Sequence, residues 1–329
     1  MSQVKQFKRH QGFSIIEMMV AITIGLVILG ALSAVAINNG KLTRTNDKSA
    51  ELQSNGRYAL DVLRRDIQHA GQSGLTPPSS LVQARTTGYF KTEADAAAAI
   101  TNDCAASFAL KLEEPIAGSN DNNAYAGTCI PAASYALGDI VVVRYADMTA
   151  FNATQNAAPT IAQIANGEIY FRSTYISSGL YLQGGAVSTI LGSPMQDQRM
   201  NAYVYYISRN TTATDGIPAL YRVALRAGTM TPELVVSGIE NMQAQYGVVN
   251  AAGDTQYKNA NAVTNAEWPL VQSVRIWFLA RNENAETGDN YSNTTSYVMG
   301  DVNYTPTVGA NDKFRRQLYT TTIQLRNGG

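Results

Sequence analysis

The sequence predicts an α+β protein: one long N-terminal helix packed on an antiparallel β-sheet domain. Three observations predict it. Residues 13–37 are an unbroken apolar run of 25 residues. No proline occurs between Met1 and Thr76, and an apolar stripe recurs at helical spacing through Leu60, Leu63, Ile67 and Ala70. Beyond Pro78 the chain turns to short β-like runs separated by Asn, Gly, Ser and Thr, without the alternating βα pattern of a doubly wound sheet.

Residues 1–12 carry Lys5, Lys8 and Arg9 and no acid, and read as a basic leader. Residues 13–37 contain one ionisable side chain, Glu17. As a helix this run is roughly 38 Å long at 1.5 Å per residue, more than the ~30 Å hydrocarbon core of a bilayer, so its length suits a membrane span. The basic leader places residues 1–12 in the cytoplasm. Lys41, Arg44 and Lys48 weaken that asymmetry, but a large domain after the span translocates largely regardless of such charges. A secretory signal has a shorter apolar core and a small-residue cleavage site after it; here Gly12 comes before the apolar run. An uncleaved anchor accounts for the run and leaves Glu17 unexplained, because a carboxylate facing lipid costs roughly 2.5–3.5 kcal/mol.

Residues 38–72 read as an amphipathic half-helix, with Arg57, Asp61, Arg64 and Asp66 between the apolar positions. Gly71, Gly74 and Pro77-Pro78 end it, and His69 in the last turn reads as a surface or capping side chain. Residues 73–329 are the β-rich domain. Strands are expected at Asp139–Tyr145, Glu168–Arg172, Ala202–Ile207 and Ala219–Leu225. A second set covers Leu234–Val236, Met242–Val249, Val271–Arg281 and Phe314–Leu325. Val274, Ile276, Phe278 and Ala280 share one face, as do Tyr319, Thr321, Ile323 and Leu325, which suits antiparallel strands covered by a helix.

Composition narrows the chemistry. The 329 residues carry 25 basic and 25 acidic side chains, and only 15% are charged against roughly 25% in an average domain. Zero net charge argues against direct nucleic-acid binding. Two histidines (His10, His69) and two cysteines (Cys104, Cys129) exclude a His-rich metal site, a zinc ribbon and a CxxC redox pair. No Walker loop, GxGxxG, HExxH or GxSxG occurs, so no catalytic residue, metal ligand or cofactor is nominated. The loops SNDNN and TGDNYSN offer oxygen atoms to calcium but match no EF-hand spacing, and read as solvated. The 18 tyrosines read mainly as strand residues with their hydroxyls at the surface.

The string GFSIIEMMVAITIGLVILG resembles the class III signal of type IV prepilins and type II secretion pseudopilins. The resemblance implies a pilin fold, cleavage between Gly12 and Phe13 by prepilin peptidase, N-methylation of Phe13, and an assembly role for Glu17. Cleavage would remove three basic side chains and leave 25 − 3 = 22 against 25 acidic. VVSGIENMQAQYGV, VQSVRIWFLAR and FRRQLYTTTIQLRN are similar to PilW-type minor pilins, with the J-type pseudopilin as the nearest relative. That implies a non-enzymatic subunit that primes pilus assembly and sits in the tip complex. Its implied partners are other minor pilins, the major pilin, the inner-membrane assembly platform and a tip adhesin. It would sit in the inner membrane with a periplasmic C-terminal domain before assembly, and at the pilus tip afterwards. The alternatives are a J-like piston-tip pseudopilin, and a tip adhesin or DNA-uptake module using a basic patch at Arg315, Arg316 and Arg326. In an oxidising periplasm Cys104 and Cys129 would form a disulfide contributing roughly 3–4 kcal/mol, the alternative being two free buried thiols. The segment 75–138 resembles nothing.

Overall fold

The computed structural model describes residues 12, 14–75, 90–91, 100–105, 108–112, 114–148, 168–174, 178–182, 196–212, 214–250, 252–286, 291–306 and 312–326. Most of the basic leader, His10, Phe13 and Pro77-Pro78 lie outside the described residues. The α+β class expected from the sequence is what the structure shows. Among the described residues one α-helix, α1 (Ile15–His69), leads into mainly antiparallel sheets. By contacts the chain divides into two compact units, Met1–Glu51 and Leu52–Gly329.

The first unit is helix almost throughout its described residues, and it runs unbroken through Gly25 and Gly30. Its apolar side chains point outward all round: Ile15, Met19, Ile22, Leu26, Val27 and Leu29 are all more than half exposed. A helix that is apolar on every side needs lipid or other helices around it. Its hydroxyls are already satisfied within the helix. Thr23 Oγ1 donates to the Val20 carbonyl (2.9 Å) and Ser33 Oγ to that of Leu29 (2.8 Å), as a segment without water requires.

In the second unit α1 becomes one-sided. Leu52, Gly56, Ala59, Leu63, Asp66 and Ile67 are buried, while Arg57, Asp61 and Arg64 stay outside. Leu63, Ile67 and Ala70 of the expected stripe are buried; Leu60 is only half-buried, and Ala59 is enclosed in its place. Gly56 allows the helix to come close to the sheet, because a Cβ there would run into the ring of Tyr319. The helix ends at His69, and Gly71 follows with φ +77°, the left-handed conformation that glycine adopts at a helix C-terminus.

The strands are β1 (Phe90–Lys91), β2 (Ile116–Ser119), β3 (Ile140–Ala146), β4 (Ile169–Ser173), β5 (Ser178–Leu182), β6 (Gln196–Ser208) and β7 (Ala219–Arg226). They continue with β8 (Thr229–Ser237), β9 (Ile239–Val249), β10 (Thr255–Asn259), β11 (Val271–Arg281), β12 (Tyr297–Met299), β13 (Val302–Tyr304) and β14 (Arg316–Gln324). One sheet runs β1-β5-β4-β6-β3-β2, with β7 and β8 added on β6. The long β6 serves as its spine, pairing with β4 from Gln196 to Arg199, with β3 from Met200 to Tyr205 and with β7 from Tyr203 to Ser208. A second, four-stranded antiparallel sheet has the order β10-β9-β11-β14, and β12-β13 form a small ribbon.

Period-two alternation on β3 and β6 separates two cores. Val141, Val143, Tyr145, Tyr203, Tyr205 and Ile207 join the cluster that includes Leu63 and Ile67 of α1 and the inner face of the second sheet. Ile140, Val142, Ala146, Ala202, Val204 and Tyr206 join the other, with Cys104, Phe108, Cys129 and Ile130. Both faces of β3 are therefore covered, which is why DIVVVRY reads as a continuous apolar run. Each fully buried aliphatic side chain in these clusters contributes about 1.5–3 kcal/mol.

Candidate assembly surface

Three sets of residues bear on function: the start of α1, the polar groups beneath its buried end, and the cationic side chains of the C-terminal strands. Gly12 and Ser14 are exposed and non-helical, and α1 begins at Ile15, with Ser14 O accepting the Met18 amide (3.0 Å). Glu17 lies in the first turn, where the helix dipole favours an anion. Its side chain is exposed and has no partner among the described residues. Phe13, the residue expected to carry the methylated amine, lies outside them.

Asp66, expected on the outer face, is instead 5% exposed beneath the helix. The reason is a set of partners from distant strands: the Tyr145 hydroxyl donates to Oδ1 (2.9 Å), the Tyr205 hydroxyl donates to Oδ2, and Arg222 lies 3.9 Å away. Burial pushes the Asp66 carboxyl up, and the two hydroxyls and Arg222 pull it back. Burial and the neighbouring Asp66 push both tyrosines up, so they remain protonated donors. These hydroxyls are buried and engaged, contrary to the surface role expected of them. His69 packs its ring 5.6 Å from that of Tyr145.

On the opposite face Arg144 is fully enclosed. Its Nε donates to the Phe108 carbonyl (2.7 Å) and Nη1 to that of Glu114 (2.6 Å), with the guanidinium 4.2 Å from the Phe108 ring centre. Burial pulls this arginine down to about 10, so it is still cationic at neutral pH. It anchors the layer closed by the Cys104–Cys129 disulfide, whose Cα atoms are 4.7 Å apart. Asp103 also organises this layer, accepting the amides of Cys104 (2.9 Å), Phe108 (3.0 Å) and Ala109 (3.3 Å).

The loop SNDNN is a turn tied to the sheets. The Asp121 amide donates to Asp139 Oδ1 (2.9 Å), and Gln243 Nε2 donates to Asp121 Oδ1 (2.8 Å). Asp139, also accepting the Ala244 amide (2.7 Å), is pushed up to about 7 by its burial, with Asp121 and Asp301 adding to the effect. No group of three or more His, Cys, Asp or Glu suited to a metal ion occurs among the described residues. TGDNYSN is partly outside them.

The expected basic patch is mostly neutralised. Arg316 is buried between Glu240, reached at 3.1 Å through Nη2, and Asp312 at 2.7 Å. Arg315 pairs with Glu286 (2.8 Å) and lies 4.4 Å from the Tyr291 ring centre. Of the three, Arg326 is the exposed one.

Residues 204–327 match the family described as Type IV Pilus-assembly protein W, and residues 7–33 match the prokaryotic N-terminal methylation motif. No curated protein matches the chain. Among solved structures, a type IV-like pilin from Thermus thermophilus aligns at 12% identity over 84% of this chain and 96% of that one. Its TM-score of 0.33 is too low to equate the two topologies. Two separate stretches of the chain are thus similar to known families: a methylation motif at the start of an exposed apolar helix, and a PilW-like stretch that begins within β6 and runs past β14.

Proposed function

We propose that this protein is a minor pilin, a non-catalytic subunit of a type IV pilus that joins the complex priming pilus assembly and sits at the tip. The observation that carries the reading is the start of α1: through residue 37 it is apolar on every side, with one carboxylate, Glu17, in its first turn five residues after Gly12. In this reading prepilin peptidase cuts between Gly12 and Phe13, and the new amine of Phe13 is methylated. Residues 13–37 hold the subunit in the inner membrane until assembly, with residues 73–329 in the periplasm. Other minor pilins and the major pilin then replace lipid around the helix, and the assembly platform receives it. The carboxylate of Glu17 pairs with an amine presented by a neighbouring subunit, an attraction far stronger in a low-dielectric helical core than in water.

A DNA-uptake module loses ground, because Arg315 and Arg316 already have carboxylate partners. The test of the pilus reading is fractionation. The protein is expected in pili sheared from the cell surface; its confinement to envelope fractions alongside a secretin would favour the J-like pseudopilin instead.

A further inference from the structure

A cleft lies between the end of α1 and β8. Its helix wall is Tyr58, Val62 and Arg65, spaced i, i+4 and i+7 and therefore on one face. Its strand wall is Leu234 and Val235. Consecutive strand residues ordinarily point to opposite faces. Here Leu220 pairs with Val236 and Tyr221 with Leu234, so Val235 is the extra residue of a bulge. The bulge turns two neighbouring apolar side chains toward one cleft, a device that re-aims side chains at sheet edges and functional sites. β8 is such an edge around Leu234: beyond β7 it meets only a single bridge among the described residues, from Thr101 to Thr229 at its far end.

The cleft encloses about 200 Å³, with Asp66 and Arg222 at its floor. That is smaller than the ~300–1,000 Å³ of small-molecule sites and suits a single protein side chain. Its lining is largely polar, and its open rim sets two apolar side chains, Tyr58 (54% exposed) and Leu234 (50%), beside exposed Arg65. Its charge is unbalanced. Arg222 is shared by Asp66 and Glu233, and Glu233 also takes Arg226. Arg65 is exposed and has no carboxylate partner among the described residues.

We propose that this cleft docks a partner pilin subunit, which inserts one apolar side chain between Tyr58 and Leu234 and sets an Asp or Glu carboxylate against the Arg65 guanidinium. The inference rests on the minor-pilin reading and names the surface by which the subunit selects its neighbour.

The test replaces Tyr58 with p-benzoylphenylalanine in the full chain, which keeps an aromatic ring at the rim, and irradiates cells that are assembling pili. The expected result is an adduct with a different protein that has its own N-terminal methylation motif. Its cross-linked peptide should carry Asp or Glu within a few residues of the attachment point. Adding Arg65→Glu should lower the adduct at least about tenfold, as reversal of an interfacial charge does, while Arg65→Lys should retain most of it. Leu234→Ser, which alters the apolar wall without adding a charge, is the second variant should Arg65→Glu fail to fold. Thiol protection of Cys104 and Cys129 reports folding in each. An adduct with a second copy of this chain, a peptide without a carboxylate, insensitivity to both variants, or no adduct overturns the proposal. If the unsubstituted chain is absent from sheared pili, the minor-pilin reading fails. If it is present and no adduct forms, the cleft alone fails.

Discussion

Residues 15–51 and 52–69 belong to one helix, and each stretch contains a carboxylate in an unusual place. Glu17 stands on a surface that is apolar all round, with no partner among the described residues. Asp66 is buried beneath a polar outer face and is held by Tyr145, Tyr205 and Arg222. The difference teaches where each stretch finds its stability. The second is completed by its own domain. The first is left incomplete, and other molecules must finish it.

The variant that most disrupts this contrast is Gly12→Val. A branched side chain at the proposed scissile bond should leave only uncleaved precursor in the inner membrane, so that no amine forms at Phe13. N-terminal sequencing checks it, and a product starting at Phe13 from this variant would show that the site is elsewhere.

Removing the other carboxylate should act on folding instead. Asp66→Ala leaves two buried hydroxyls without their acceptor, while Arg222 keeps Glu233, and is expected to destabilise residues 52–329 by about 2–4 kcal/mol. Urea denaturation measures this, and a loss below about 1 kcal/mol would remove Asp66 from the account of how the helix is seated. Cys104→Ser with Cys129→Ser sharpens the same point on the other face of β3. It should cost about 3 kcal/mol for a sequence separation of 25, with membrane insertion unchanged. Two thiols alkylated in the unfolded, unreduced native protein would show that the bond does not form.

A smaller effect follows from pH. Asp139 is near 7 in the folded domain against 3.8 when exposed, so between those values the folded state holds a proton that the unfolded state has lost. Stability should therefore fall as pH rises from about 4 to about 7 and level off above, with Asp66 and Asp103, also pushed up by burial, adding in the same direction. Thermal midpoints across this range should show the slope, and Asp139→Asn should flatten it. An unchanged slope in that variant would assign it to other groups.

What the sequence disclosed follows the range of the interactions. The apolar run, the glycine before it and the glutamate after it lie within a few residues of one another, so the start of α1 was legible. So were the strands whose apolar residues suffice to mark them: β11 runs over Val271–Arg281 as expected, and β7 and β9 lie close to their expected bounds. Short strands such as β2, β10, β12 and β13 carry too few residues to show a period, and β6 begins at Gln196, ahead of its apolar part. Asp66 and Arg316 were misplaced on the outside because a charge is normally solvated. Arg316 has one near partner in Asp312, but the others of the two residues include groups 79, 139 and 76 residues away in sequence, which no local pattern reveals. The Val235 bulge, and the cleft it forms, depend on pairing across β7 and β8 in the same way.

The contrast between the two carboxylates is tested most directly by Glu17→Val in cells, measuring the fraction of cleaved protein recovered in sheared pili. Because Glu17 has no role in the globular unit, the variant should be inserted, cleaved and as stable as the unsubstituted chain. It should also relieve the roughly 2.5–3.5 kcal/mol that an unpaired carboxylate costs in lipid. Without a partner for the neighbouring amine, its recovery in pili should nonetheless fall steeply. Recovery equal to that of the unsubstituted protein would contradict the assembly role of Glu17, and degradation before cleavage would contradict the separation of folding from assembly.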